Sequence, residues 1–287
     1  MEMTAPAKIN LYLNIVDKRD DGYHDIDTLF EKVSICDKLV VEKYGKATEI
    51  ICDQPLVPTG RDSLMMRAVD AFNRFSGQEH AFRVILEKNI PVGAGLGGGS
   101  SDAAALLKAI NILTGTPLSK SELIEIGAEL GADIPFFLHN TSFAYGRNRG
   151  DAIEEVETDL ELWHIVINPP FETSTKDMYG KWTRFGLTKD NRVDRIFSTF
   201  LREKNVQGIA DNLHNDLQRI ALEEFPDIRP VFSELEKYGS KGTLLSGSGP
   251  TVFGIFDRDQ VISAKEKIEK IFPAGKGWKI FIASTHR

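Results

Sequence analysis

From Ala7 to Val16 polar and apolar residues alternate, with Ile9, Leu11, Leu13 and Ile15 on one side. That period of two predicts a half-buried strand. It ends in the polar turn Lys18-Arg19-Asp20-Asp21-Gly22. Leu39 to Val41, Ala47 to Ile51 and Phe82 to Leu86 predict further strands. Leu64, Ala68, Phe72 and Phe75 recur at helical spacing and predict a helix over Ser63 to Phe75. A second apolar stripe, Ala103, Leu106, Leu107, Ile110 and Leu113, predicts a helix from Ser100 to Leu113. Ser119 with Glu122 has the pattern of a capping box and opens a third helix that runs to Leu130.

After Gly150 the pattern changes. Trp163 to Asn168 predicts a strand before the loop Pro169-Pro170, and a polar helical region extends from Asn191 to Glu224. Gly242 to Leu245 and Val252 to Phe256 predict paired strands around the turn Ser246-Gly247-Ser248-Gly249-Pro250-Thr251. Helix and strand follow over Gln260 to Ile271 and Trp278 to Ala283. Hairpins interspersed with helices predict an α+β protein rather than regular βαβ repetition. The change of pattern places a domain boundary near residue 155, dividing the chain into 1–155 and 156–287.

Composition narrows the partners. Of the 287 residues 41% are hydrophobic, enough for a substantial core, and 35 basic against 42 acidic residues leave a net charge of −7. That charge disfavours a nucleic-acid partner, whose binding rests on neutralising phosphates. No apolar run approaches the ~20 residues that span a bilayer, and the amino end has no signal pattern. The expectation is a cytoplasmic protein with no membrane partner. Cys36 and Cys52 cannot form a disulfide scaffold, and His80, His139, His164, His214 and His286 are scattered without metal-ligand spacing, so no protein-borne metal cluster is expected.

The chemistry is concentrated in Pro91-Val92-Gly93-Ala94-Gly95-Leu96-Gly97-Gly98-Gly99-Ser100-Ser101-Asp102, where five glycines occupy seven positions before a good helix. Glycine lets the backbone take positive φ and lets a ligand approach closely, and free amides at a helix start attract anions. This reads as a phosphate loop, with Ser100 and Ser101 able either to cap the helix or to face a phosphate or its magnesium. Gly93, Gly95 and Gly98 satisfy GxGxxG, but Pro91 interrupts the strand-to-helix turn of a Rossmann fingerprint. No Gly-Lys-Ser/Thr closes the loop, as a Walker motif requires, and the HRD and DFG elements of protein kinases are missing. The carboxyl-terminal glycine turn is no nucleophile elbow, because Ser246 stands at the first glycine of GxSxG.

Pro91 to Ala105 resembles the phosphate-binding motif of the GHMP kinases: galactokinase, homoserine kinase, mevalonate kinase and phosphomevalonate kinase. Pro6-Ala7-Lys8-Ile9-Asn10-Leu11 and Leu245 to Phe253 are similar to the family's first and third motifs. The resemblance spans nearly the whole chain. It implies an amino-terminal domain similar to ribosomal protein S5 domain 2 and a ferredoxin-like carboxyl-terminal domain, with the active site between them. It implies ATP and Mg²⁺, a small-molecule alcohol as acceptor, and a chain acting as monomer or homodimer. Pro91, Gly93, Ala94, Gly95, Leu96, Gly97, Gly98, Gly99, Ser100 and Ser101 become the nucleotide-binding set.

Without the resemblance Lys8 would be an exposed strand lysine, and Asp133, in Gly131-Ala132-Asp133-Ile134-Pro135, could equally cap a helix or form a turn. With it, Lys8 and Asp133 match a lysine and an aspartate that face the acceptor hydroxyl. Asp20-Asp21-Gly22-Tyr23-His24 and Gly131 to Phe137 are similar to a branch whose acceptor carries cytidine diphosphate. That branch maps Asn10, Tyr23 and His24 onto the cytidine diphosphate portion and Phe30 and Tyr179 onto rings between which the base stacks, with Thr175 adding a polar contact. Read by themselves, Phe30 would be core, Tyr179 a loop aromatic and His24 a turn residue. Tyr145 to Asp151 departs from the family's usual Gly-x-Gly-Glu by a small insertion that includes Arg147 and Arg149, and Ser63 stands where relatives often have asparagine. The alternatives are a GHMP kinase for another alcohol such as homoserine, and a nucleotide-binding sensor without turnover.

Overall fold

Two long antiparallel strands, β1 (Glu2–Lys18) and β2 (His24–Lys43), form the spine of the first sheet in this computed structural model, which describes residues 1–45, 47–115, 118–182 and 192–287. β3 (Glu49–Cys52), helix α1 (Leu64–Ser76) and β4 (Phe82–Glu87) follow, then helices α2 (Gly98–Thr114), α3 (Lys120–Leu130) and α4 (Ile134–Leu138). β5 (Phe143–Arg147) and β6 (Ala152–Val156) complete the first half, and β7 (Trp163–Asn168) opens the second sheet. Beyond it come α5 (Thr175–Trp182), α6 (Val193–Glu203), α7 (Val206–Asp211), the short β8 (His214–Asn215), α8 (Gln218–Glu224) and α9 (Arg229–Lys237). β9 (Gly242–Leu245), β10 (Val252–Phe256), α10 (Val261–Glu269) and β11 (Lys279–Ser284) end the chain.

The first sheet runs β3-β4-β2-β1-β8, with β5 pairing β2 and β6 pairing β5; the second runs β11-β7-β10-β9. Mixed sheets and helices agree with the α+β expectation. The β9–β10 pair has the predicted antiparallel register, with Val252 opposite Leu245. The start of the polar helical region, Asn191, lies outside the described residues.

β1 departs from the half-buried strand expected. Ala5 and Ala7 to Ile15 are all buried, including Lys8, Asn10 and Asn14. Ala7, Ile9 and Leu11 pack with Val166, Phe253 and Ile255 of the second sheet, while Lys8 on the alternate face meets the glycine loop. Both faces are therefore covered, and polar residues are buried because they serve a cleft. Only the far end of β2 was predicted. Its central apolar residues, such as Leu29, Phe30, Val33 and Ile35, do not alternate cleanly, again because both faces are covered.

The helices follow their signals closely. Ser63 caps α1 by accepting a hydrogen bond from Met66 N at 3.2 Å. Ser119 and Glu122 make both bonds of the capping box on α3. Ser119→Ala removes one of these bonds on an exposed turn and is expected to cost about 1 kcal/mol. A thermal melt checks it: the midpoint falls by a few degrees with no change in turnover.

Candidate active site

Strand geometry assembles the chemical centre. Directly opposed residues of an antiparallel pair share a face, and so do residues two apart. Lys8 opposes Lys32 and Asn10 opposes Phe30; a register shift between Asn10 and Tyr12 then brings Thr28 onto the same side. Lys8 Nζ donates to Asn10 Oδ1 at 2.8 Å, Asn10 Nδ2 donates to Thr28 Oγ1 at 2.8 Å, and Thr28 Oγ1 donates to the Tyr12 carbonyl at 2.5 Å. This chain of donors fixes the Lys8 ammonium, which also lies 5.2 Å from the Phe30 ring centroid.

Asp133 faces that ammonium, with Oδ2 3.6 Å from Lys8 Nζ. It sits at the N-cap position of α4 yet makes no side-chain capping hydrogen bond. The capping alternative is thereby removed: the carboxylate is turned to Lys8, a third of its side chain still open to solvent.

The glycine loop is built against this pair. Gly97, at φ 68°, is the N-cap of the 17-residue α2 and brings no side chain to its first turn, where helix amides lack intrahelical partners. A Cβ at Gly97 would stand 2.9 Å from Lys8 Cγ, whereas one at Gly99 would meet nothing within 4 Å. The loop thus needs glycine at 97 for packing and leaves open space over 99, the shape of a cradle for an anion. The carboxyl-terminal glycine turn closes it from the other side: Ser246 Oγ donates to the Gly95 carbonyl at 3.1 Å, and Gly247 has φ 55° beside Lys8 and Asn10.

These groups line one cavity of about 950 Å³. It brings together Lys8, Asn10, Tyr23, His24, Phe30, Gly93, Gly95, Gly97, Gly98, Gly99, Ser100, Asp133, Thr175 and Tyr179 from the sequence-derived set. Pro91, Ala94, Leu96 and Ser101 are not on its wall: the Ala94 and Leu96 side chains fill the core between the sheets, and Leu96 acts through its carbonyl, which accepts from Lys8 N at 2.9 Å. Four cations, Lys8, Lys18, Arg149 and Lys176, face two carboxylates, Asp21 and Asp133, so this cleft is electropositive in an acidic chain.

The far end is aromatic. His24 lies 5.3 Å from Tyr179 and 5.7 Å from Trp182, centroid to centroid, and its buried Nε2 has no hydrogen-bond partner among the described residues. Burial, then the Lys18 charge, holds its pKa below the ordinary histidine value, so the neutral ring is present at pH 7. Burial and the Asp133 charge push the Tyr179 phenol up, keeping it a hydroxyl. Tyr23 is 55% exposed beneath the Arg149 guanidinium. Phe30 is only 1% exposed and stacks on Phe136 at 4.8 Å, so its core reading and its place on the cavity wall both hold. Thr175 Oγ1 lies 2.9 Å from Ser248 Oγ.

Of the two arginines in the altered segment, Arg149 lines the cavity while hydrogen-bonded to Asp151, and Arg147 is taken up by Asp27, Glu154 and Asp194. Thr28 and Thr173 went unnoticed in the sequence, and nothing local signals them; Lys18 was read only as part of a polar turn, and Ser248 only as part of the carboxyl-terminal glycine turn.

Beneath the loop, Lys88 is buried between Asp37 and Asp102, 2.7 Å from the latter. Burial pushes the Asp102 carboxyl up against the pull of Lys88. Asp37 also accepts from Asn89 N and Ile90 N, tying the strand before the loop to the helix after it.

A glycine-cradled anion site beside a lysine–aspartate pair is the equipment of a small-molecule kinase, and family comparison agrees. Profiles described as "GHMP kinases N terminal domain" and "GHMP kinases C terminal" match residues 63–141 and 197–274. Proteins named 4-diphosphocytidyl-2-C-methyl-D-erythritol kinase from Syntrophus aciditrophicus (strain SB) and Syntrophotalea carbinolica (strain DSM 2380 / NBRC 103641 / GraBd1) are 39% and 38% identical, covering 98% and 96% of both chains. A crystal structure of 4-(cytidine 5'-diphospho)-2C-methyl-D-erythritol kinase superposes with a TM-score of 0.82 at 32% identity over all of both chains. A homoserine kinase structure from Cytophaga hutchinsonii, at 18% identity and TM-score 0.75, shares the fold. The chain belongs to the 4-diphosphocytidyl-2-C-methyl-D-erythritol kinase family of GHMP kinases.

Proposed function

We infer that the protein transfers the γ-phosphoryl group of ATP to the 2-hydroxyl of 4-diphosphocytidyl-2-C-methyl-D-erythritol, a step of non-mevalonate isoprenoid precursor synthesis. The observation that carries the kinase reading is the Asp133 carboxylate, free of capping and 3.6 Å from Lys8 Nζ at the mouth of the glycine loop. Phosphoryl transfer asks a protein mainly for positioning and charge stabilisation.

Asp133 accepts the proton of the acceptor hydroxyl as its oxygen bonds to the γ-phosphorus and the bond to ADP breaks. Lys8, anchored by Asn10, orients that hydroxyl and offsets charge developing on the transferred group. The amides of Gly97 to Ser100 receive the ATP phosphates, and Lys18, Arg149 and Lys176 supply positive charge for the second diphosphate, that of the acceptor. Residues 1–155 and 156–287 each furnish a wall of the cleft. Mg²⁺ fits this arrangement as a phosphate-held ion. Ser100 can offer it a hydroxyl, and among the described residues no group of three His, Cys, Asp or Glu could hold a metal by itself. When bound, the ion neutralises phosphate charge.

His24 and Tyr179 form the base end, with Phe30 and Thr175 as further contacts. A planar base is gripped by ring faces and selected at its edge, and the unpartnered His24 Nε2 is the edge-reading atom. His24→Ala should therefore raise the KM for the acceptor at least tenfold and leave the KM for ATP unchanged. An equal rise in both, in a folded variant, would remove His24 from the acceptor site. The protein is a soluble kinase in this reading, acting as monomer or homodimer in the cytoplasm; among the described residues no helix is long and apolar enough to cross a membrane.

A further inference from the structure

Ser100 and Ser101 are neighbours in sequence but not in surroundings. Adjacent helical residues point about 100° apart. Ser100 lines the nucleotide cleft, whereas Ser101 lines a second cavity of about 250 Å³ on the far side of α4's aromatic residues. The partition is a pair of stacked rings: Lys8 Nζ lies 5.2 Å from the Phe30 centroid, Phe30 stacks on Phe136, and Lys32 Nζ lies 5.0 Å from the Phe136 centroid.

The wall of this second cavity carries Lys32, Lys108, Arg287, His139 and His286 and no Asp or Glu side chain among the described residues. Among the described residues neither lysine has an ion-pair partner. Each donates to a backbone carbonyl at the end of α4: Lys32 Nζ to His139 O at 2.5 Å and Lys108 Nζ to Phe137 O at 2.9 Å. Those bonds cap a helix of only five residues and leave the buried Lys32 and the half-buried Lys108 without a carboxylate partner. Glu155, whose charge acts on Lys32, is held by Lys120 and by His139 Nδ1. Burial, then the Lys108 charge, pushes the Lys32 amine down to about 7, and burial with Lys120 lowers Lys108. The Ser101 hydroxyl is buried, with 1% of the residue exposed and no hydrogen-bond partner among the described residues.

We propose that this cavity is a second anion site, which takes a phosphate or diphosphate group through the Lys32 and Lys108 ammonium groups and the Ser101 hydroxyl, with Arg287, whose guanidinium donates to the Asp159 carbonyl at 2.8 Å, at the rim. Lysine amines that surround an open cavity without an ion-pair partner bind an anion because its charge favours their protonated form and offsets what burial costs that form. At about a quarter of the cleft's volume the cavity suits a small phosphate rather than a nucleotide. The site stands on residues outside the phosphoryl-transfer centre, so it can fail without affecting the kinase assignment.

The test is calorimetric titration of the whole protein with inorganic phosphate and with inorganic pyrophosphate. The cleft is first saturated with a non-hydrolysable ATP analogue, magnesium and 4-diphosphocytidyl-2-C-methyl-D-erythritol, so that its nucleotide and acceptor phosphate positions are both filled. The expected result is one remaining site for at least one of the two anions, weakened at least tenfold in Lys108→Met and in Lys32→Met, with ATP-dependent turnover retained in Lys108→Met. Should either lysine variant fail to fold, Arg287→Ala, at an exposed position, is expected to weaken binding in the same direction. No binding to the wild type with the cleft filled, or affinity unchanged in the folded variants, overturns the proposal.

Discussion

Asp133→Asn is expected to lower kcat by about 10²–10⁴-fold, the contribution typical of a positioned general base, while ATP binding is kept. Asparagine has the size of aspartate and can still contact Lys8, but its amide cannot take the acceptor proton. Because Asp133 makes no capping bond to α4, the change removes no structural hydrogen bond from the helix start, and folding should be unaffected. Loss of turnover with normal binding of an ATP analogue therefore reports on chemistry. Unchanged ADP release by the folded variant would mean that the proton leaves by another route. A parallel fall in ATP affinity would place Asp133 on the nucleotide rather than the hydroxyl.

Gly95→Ala should be strongly damaging, since its added Cβ would make the shortest contact found at any described glycine. Gly95 has φ 74°, and an added Cβ would stand 2.3 Å from the Ser246 carbonyl oxygen and 2.9 Å from that of Gly249. Ser246 cannot retreat freely, since its N donates to Thr251 O at 2.9 Å and its hydroxyl to Gly95 O. Left-handed backbone costs a non-glycine residue about 1–2 kcal/mol, and overpacking costs about 1–3 kcal/mol more. The sum is a large part of the 5–15 kcal/mol by which a domain is typically stable. Denaturant titration should show that loss together with weaker ATP binding. Gly99→Ala is the informative contrast: its Cβ meets nothing in the protein, so stability should stay within about 0.5 kcal/mol while ATP affinity falls. If the two variants behaved alike, the loop's glycines would be serving backbone freedom in general and not two separate purposes, packing at 95 and ligand approach at 99.

The parts of the molecule that were legible in sequence are those whose cause is local. A capping box, an amphipathic stripe and a glycine cluster before a helix each carry their reason within a few residues, and α1, α2, α3 and the β9–β10 pair stand close to where those signals place them. The signals fail where both faces of a strand are covered. β2 loses its alternation because helices cover one side and the second sheet the other, and the register shifts in its pairing with β1 break the period again. Within the site, the glycine loop could be read from residue types alone, but Lys8 and Asp133 could not. A strand lysine and a turn aspartate are ordinary until folding brings them to 3.6 Å. Phe30 shows a further limit, since a ring that stacks on Phe136 in the core and also borders the cleft fits both descriptions that sequence offered. The division of labour between Ser100 and Ser101 depends on what α2 packs against, which no spacing along the chain records.

The central claim is that this cleft phosphorylates a cytidine-diphosphate-bearing alcohol. Its most direct test is ADP release by the purified protein with ATP and Mg²⁺, comparing 4-diphosphocytidyl-2-C-methyl-D-erythritol with homoserine, mevalonate and galactose as acceptors. Turnover with the cytidyl acceptor alone is the predicted result. Turnover with another of these alcohols and not with the cytidyl compound, or ATP binding without turnover on any of them, would contradict it.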